Sequence, residues 1–161
     1  MEPAYRSAKL LREQLKAGAT LAEFNRLRAN FATELGFVSD QMKANRRTAK
    51  LLQPYFSAYS GALDAYSLVG DVWEFNSALE ACEAPRYDPE TEQLIAAFGE
   101  QWRIRLEHTD RDMRELGCIR ITMEASLALD RRAPQCGSRL DCVVKIADGK
   151  LAAADKLLVQ H

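Results

Sequence analysis

Four cysteines are the residues whose spacing most directly invites chemistry. Cys136 and Cys142 bracket five residues in CGSRLDC, which overlaps RRAPQCGSRLD (131–141), a stretch whose Pro, Gly and Ser read as a loop. Oxidation there would tie the loop to the base of the element that follows. Four cysteines allow three pairings, and sequence does not select one. Pairing 136 with 142 leaves Cys82 and Cys118, which straight antiparallel helices would hold far apart; a break at Gly117 or a different pairing resolves that. Cys82 also fits as a plain buried thiol on an apolar stripe. Zinc is the poorer reading, because C-x5-C is not a zinc-knuckle spacing and His108 and His161 are the only histidines. We expect at least one disulfide, and with it an oxidising compartment such as a periplasm.

A second constellation is aromatic. YFSAYSGALDAYSLVGDVW sets Tyr55, Tyr59, Tyr66 and Trp73 at spacings of four, seven and seven. On a helix these fall in one sector with Ala62 and Val69. Aromatics at helical spacing usually form core, since each buries a large area and packs edge to face. The alternative is a pocket or groove between helices, with the Tyr hydroxyls facing a ligand, because a phenol tip is costly to bury without a partner. Glu80 continues the same sector, and either rims such a pocket or marks where the helix emerges into water.

Basic residues gather in KANRRTAK, where Lys43, Arg46, Arg47 and Lys50 lie within eight positions. They offer a surface to an acidic partner, or form an ordinary solvated face. RLEHTDRDMRE (105–115) holds Glu107, His108 and Asp110, which could do acid–base work. Its alternating signs suit an exposed helix with i,i+4 pairs better. Absent are a Gly-rich phosphate loop and H-E-x-x-H, C-x-x-C-H for haem, and the paired Glu-x-x-His of di-iron bundles. The reading is therefore non-enzymatic, with no cofactor or metal site.

The bulk composition bounds the rest. The chain has 161 residues, 47% hydrophobic and 28% charged, an ordinary globular balance. Only 8 Gly and 5 Pro, among many Ala, Leu, Glu, Arg and Lys, favour helix. Lys and Arg total 22 against 23 Asp and Glu, a net charge of −1, which argues against a nucleic-acid partner. No apolar run approaches the ~18–20 residues of a membrane span. The opening MEPAYRSAKLLREQLKAG lacks the apolar region of a signal peptide. The chain is then either cytoplasmic or an exported form whose leader has been removed.

These residues must be positioned by helices. Residues 4–17 place Ala8, Leu11 and Leu15 on one face with Leu10 beside them, and Gly18 follows as a helix stop. Thr20 and Glu23 make a capping box. Phe24, Leu27, Phe31, Leu35, Val38 and Met42 then trace a near-heptad seam that predicts an antiparallel partner. Gly36 suggests a bend, and Pro54 either ends this segment or opens the next. The third helix carries the Tyr–Trp sector and, nearly opposite, Leu68, Val72, Phe75, Leu79 and Cys82. A helix apolar on two sides is sandwiched at the centre. Asp88 and Pro89 start another helix, running by Ile95, Phe98, Trp102, Leu106, Met113 and Leu116, and onward past Gly117 to about Asp130. The last spans about 140–159, with Leu140, Val144, Ala147, Leu151, Ala154 and Leu158 aligned. The sequence predicts an all-α, single-domain, up-and-down bundle of five or six helices over 1–161.

GATLAEFNRLRANFATELG opens a helical hairpin through G-x-T-x-x-E-F, and ALDAYSLVGDVWEF closes it through A-L-x-A-Y-x(6)-W. Over residues 8–75 this resembles a loose group of small, exported, all-helical bacterial proteins. The resemblance implies a cell-envelope location and supplies no site residues. The functional expectation is a non-enzymatic periplasmic module that binds another protein, as an adaptor, inhibitor or immunity-type partner, with a homodimer also open. The alternatives are a carrier of a small apolar ligand between helices and a cytoplasmic regulatory bundle using KANRRTAK.

Overall fold

The computed structural model describes residues 1–81, 129, 131–136 and 138–159. Four helices run through them: α1 (Glu2–Lys16), α2 (Leu21–Ala44), α3 (Arg46–Ala81) and α4 (Leu140–Val159). No strand occurs among the described residues, so the expected all-α class holds there. The helices expected between Pro89 and Asp130 lie outside the described residues, except for helical backbone at 129 and 131–132. The chain divides into two compact units, Met1–Glu74 with Arg139–His161, and Phe75–Ser138.

In the first unit, α1 buries Ala4, Ala8 and Leu11 completely. Two of these are alanines, so the helix axis can come close to its neighbours, and α1 packs on both α2 and α4. It ends in a Schellman motif. Gly18 takes φ +87°, its N–H donates to the Leu15 carbonyl, and the Ala19 N–H reaches back to the Gln14 carbonyl at 3.0 Å. Only glycine adopts that backbone without strain, which is why the helix stops here. Two residues later the Thr20 hydroxyl accepts from the Glu23 N–H at 3.2 Å while the Glu23 carboxylate accepts from the Thr20 N–H at 3.1 Å. This capping box starts α2 at the position its sequence indicates.

Phe24, Leu27, Phe31, Leu35 and Val38 are buried along α2, which runs as one helix through Gly36. The next turn corrects an expectation. The chain reverses at Asn45, and Pro54 neither ends a helix nor begins one but lies inside α3. Asn45 is the last-residue cap of α2, with an extended backbone (φ −143°, ψ 111°). Its side-chain carbonyl accepts from the Arg47 and Thr48 amides at 2.9 and 3.2 Å, so the same residue opens α3. Pro54, in the interior of α3, removes one helical donor and crowds the carbonyl four residues back. Gln53, Pro54 and Lys50, whose carbonyl loses that donor, are all exposed, so water can replace it.

α2 and α3 are antiparallel. Phe24 meets Tyr66 and Phe31 meets Tyr59, one number rising as the other falls. Of the two expected stripes of α3, Tyr59, Ala62, Tyr66 and Val69 are buried on one side, with Tyr55 and Trp73 at its ends only half-buried, and Leu68, Val72 and Phe75 are buried on the other. Gly70 lets the pair approach, since a Cβ there would stand 2.9 Å from Arg28 Nη1 and 3.4 Å from Phe24 Cε1. α4 buries Val143, Ala147, Leu151 and Ala154, so its core face is turned slightly from the expected one: Val143 replaces Val144.

In the second unit, Leu129, Ala133 and Cys136 are buried. The Ala133 and Cys136 amides donate to the carbonyls of Leu129 and Ala133 at 2.9 Å, and Asn76 Nδ2 reaches the Ser138 carbonyl at 3.2 Å.

Candidate functional site

The aromatic sector resolves into two stacked layers, repeated one heptad apart. In one, the Phe31 ring of α2 meets the Tyr59 ring of α3 edge-on (84°, centroids 6.3 Å apart). The Tyr59 hydroxyl donates to Asp155 Oδ1 of α4 at 2.8 Å, and Arg12 of α1 holds Asp155 Oδ2 at 3.4 Å. In the other, Phe24 meets Tyr66 at 6.5 Å, the Tyr66 hydroxyl donates to Asp148 Oδ1 at 2.8 Å, and Lys16 Nζ stands 3.4 Å from Asp148 Oδ2. All four helices contribute to each layer. Seven residues is almost two full turns, so one helix can offer Phe, Tyr or Asp twice to the same neighbour at about 10 Å intervals.

The electrostatics follow from this placement. Tyr59 and Tyr66 are fully buried residues, and both hydroxyls are pushed far above the usual tyrosine range, first by burial and then by the hydrogen bond to an aspartate. They are therefore neutral donors around pH 7. Each satisfies the polar tip that would otherwise be costly inside a core, and each aspartate is partly solvated and paired with a cation. The layers fasten α4 to α3 and α1.

Of the residues that could line a pocket, Tyr59 and Tyr66 are thus brought together as packed, hydrogen-bonded core. Tyr55 and Trp73 are half-buried, Trp73 with its ring 5.8 Å from Phe24. The side chain of Glu80 lies outside the described residues. The residues missed from sequence are Asp148, Asp155, Arg12 and Lys16. The available signal was the matching seven-residue spacing of Tyr59 with Tyr66 and of Asp148 with Asp155.

No family model, curated protein or solved structure matches the chain.

Cys136 and Cys142 are disulfide-bonded and lie at disulfide distance from each other. Cys82 and Cys118 lie outside the described residues. The bridge closes the loop directly ahead of α4, where the Cys142 N–H also donates to the Arg139 carbonyl at 3.2 Å. Beside it, Arg139 bonds Asp141 at 3.3 Å and holds that carboxyl below its ordinary range.

Lys43, Arg46, Arg47 and Lys50 are all exposed and flank the α2–α3 reversal at Asn45. Lys43 pairs with Asp40 at 3.0 Å, an exposed contact of small energetic value. Among the described residues no group of three or more His, Cys, Asp or Glu is placed to hold a metal ion, and no helix is long and apolar enough to cross a membrane.

Proposed function

We propose that the protein is a non-enzymatic binding module of the periplasm, an adaptor, inhibitor or immunity-type protein that presents the surface of a bundle of five or six helices to another protein. The observation that carries this reading is the use made of Tyr59 and Tyr66. Their rings are wholly buried against Phe31 and Phe24, and their hydroxyls are committed to Asp155 and Asp148. The side chains best suited to line a cavity for an apolar ligand are consumed in holding the helices together, which leaves recognition to the outer surface. The Cys136–Cys142 pair supports an oxidising compartment over a cytoplasmic regulatory role, which would leave its thiols free.

The test is capture from a cell-envelope extract on the oxidised protein, followed by reconstitution from purified components. A specific partner should bury at least about 1,000 Å² and co-elute with the bundle on dilution. A Trp102→Phe background leaves Trp73 as the sole indole. A saturable shift of its fluorescence with fatty acids or small aromatics, and no reconstituted protein complex, would replace this reading with that of a carrier.

A further inference from the structure

We infer that the partner docks at the α2–α3 elbow, where Phe37 and Leu51 with Lys43, Arg46, Arg47 and Lys50 form a surface for an acidic amphipathic helix of another protein. This rests on the binding-module reading and deepens it.

Three large hydrophobic residues are exposed among the described residues, and two of them belong to this elbow: Phe37 at 59% and Leu51 at 65%. The pairs Phe24–Tyr66 and Phe31–Tyr59 define the antiparallel register of α2 and α3. Continued by one heptad, it brings Val38 level with Leu52. Val38 is buried and Leu52 half-buried, as seam positions should be. Phe37 and Leu51 each precede a seam residue by one position, a rotation of about 100°. In antiparallel helices the sense of rotation is reversed, so the two steps lead to the same side of the hairpin. Phe37 and Leu51 therefore flank a common shallow furrow over the α2–α3 seam.

Charge selects what fits there. From residue 41 to residue 63 the chain carries four Lys or Arg and no Asp or Glu, although its overall net charge is −1. The α2 side beside Phe37 holds Glu34 and Asp40, the latter paired with Lys43, so the excess positive charge lies on the α3 side. Arg47 stands one turn before Leu51 on the same face, and Lys50 adjoins it. Lys43 serves the fold, in the last turn of α2 and paired with Asp40, but Arg46 and Arg47 do not. Arg46 and Arg47 occupy the first turn of α3, which holds no acidic residue and where the helix dipole disfavours positive charge. An apolar pair with Arg47 and Lys50 along its α3 side is complementary to a helix with apolar side chains at i and i+4 and carboxylates on the flank that faces α3. A lipid surface is the poorer match, because an interfacial helix needs an extended apolar face and only two such side chains project here. Nucleic acid offers no counterpart to Phe37 and Leu51.

The probe is a fluorescein-labelled amphipathic peptide of about 15 residues, Leu at i,i+4 spacing and Glu elsewhere, followed by anisotropy on the full oxidised chain. We expect saturable binding that weakens with added salt and falls at least about tenfold in both F37S/L51S and R47E/K50E. All four positions are exposed, and circular dichroism verifies that the variants keep the fold. Equal binding of the Lys-for-Glu peptide, no binding of the acidic peptide, or stronger binding to phosphatidylglycerol vesicles or single-stranded DNA would overturn the assignment. A protein partner captured from the envelope whose affinity is unchanged in both variants would overturn this surface while leaving the binding-module reading in place.

Discussion

The Tyr66 hydroxyl of α3 donates to Asp148 Oδ1 of α4 across 2.8 Å, linking positions 82 residues apart. The same bond recurs between Tyr59 and Asp155, one heptad along both helices. Such a repeat makes the α3–α4 interface specific in register, because sliding either helix by one turn would leave two buried phenols without acceptors.

Removing either partner should therefore be unequal in cost. Tyr66→Phe deletes a hydrogen bond to a charged group but leaves Asp148 with Lys16 and some water, and we expect a loss of about 1.5 kcal/mol. Asp148→Ala orphans a hydroxyl on a fully buried residue, and should cost about 2–3 kcal/mol. Urea unfolding of both single variants and the double variant measures the coupling. A coupling of zero would show that the two groups contribute independently.

Alkaline pH should act through the same tyrosines. Their folded pKa values lie above the unfolded value of about 10, so the unfolded chain loses protons first as pH rises. The stability they contribute is fully present below about pH 10 and declines above it. Absorbance at 295 nm, read alongside far-ultraviolet circular dichroism, should show two of the five tyrosines ionising only as the helices melt. Complete ionisation with the fold intact would contradict their burial.

Two glycines of α3 should respond oppositely to the same change. Nothing lies within 4 Å of a Cβ built on Gly61, so Gly61→Ala should stabilise by about 0.5–1 kcal/mol through helix propensity and a smaller unfolded-state entropy. At Gly70 the new methyl meets Arg28 Nη1, which also donates to the Ser67 carbonyl at 3.4 Å. Displacing that flexible guanidinium offsets the gain, so Gly70→Ala should be close to neutral, and Gly70→Val clearly destabilising. Equal melting-temperature gains for the two alanines would remove the close approach from the account of α2–α3 packing.

At the reversal, Asn45→Ala should cost about 1 kcal/mol, the usual value of a lost helix cap. Asn45→Asp keeps the acceptor and places its charge at the positive end of α3 beside Arg46 and Arg47 but also at the negative end of α2, so it should fall between the parent protein and Asn45→Ala or match the parent. Thermal melts of the three proteins check the order.

The bridge ahead of α4 should be worth about 2 kcal/mol, on the chain-entropy estimate for so short a loop. Cys136→Ser with Cys142→Ser should lower the unfolding free energy extrapolated from urea melts by that amount. In the parent, alkylation before and after reductant, followed by peptide mapping, should place newly labelled thiols at both positions. Labelling at Cys136 and Cys142 without reductant would argue against an oxidising compartment.

Much of the fold was legible because the signals were local. Gly18, Thr20 with Glu23, and the seam from Phe24 to Val38 each depend on backbone geometry within a turn or two, and each is found in place. The burial of the middle of both stripes of α3 follows the apolar spacing, while Tyr55 and Trp73 at the ends of one stripe are half-buried. Pro54 was misread because proline's cost depends on whether water can reach the freed carbonyl, a property of the surface and not of the neighbours in sequence. Asp148 and Asp155 escaped notice because each looks like any acid on the polar face of an amphipathic helix. Val143 displaced Val144 for a related reason: two adjacent valines satisfy the periodicity equally.

By itself, then, the sequence determined the helical class of the described residues, where α1 stops and α2 starts, and which residues of α3 share a face. These follow from short-range sterics, capping and apolar periodicity, which any chain carries locally. Only the tertiary structure decided that Tyr59 and Tyr66 find Asp155 and Asp148, that Gly70 admits Arg28, and that Phe37 and Leu51 stay uncovered on one side of the elbow. Those outcomes depend on the register and rotation of helices distant in sequence, and register is set by all the contacts of an interface together, not by any one segment of it.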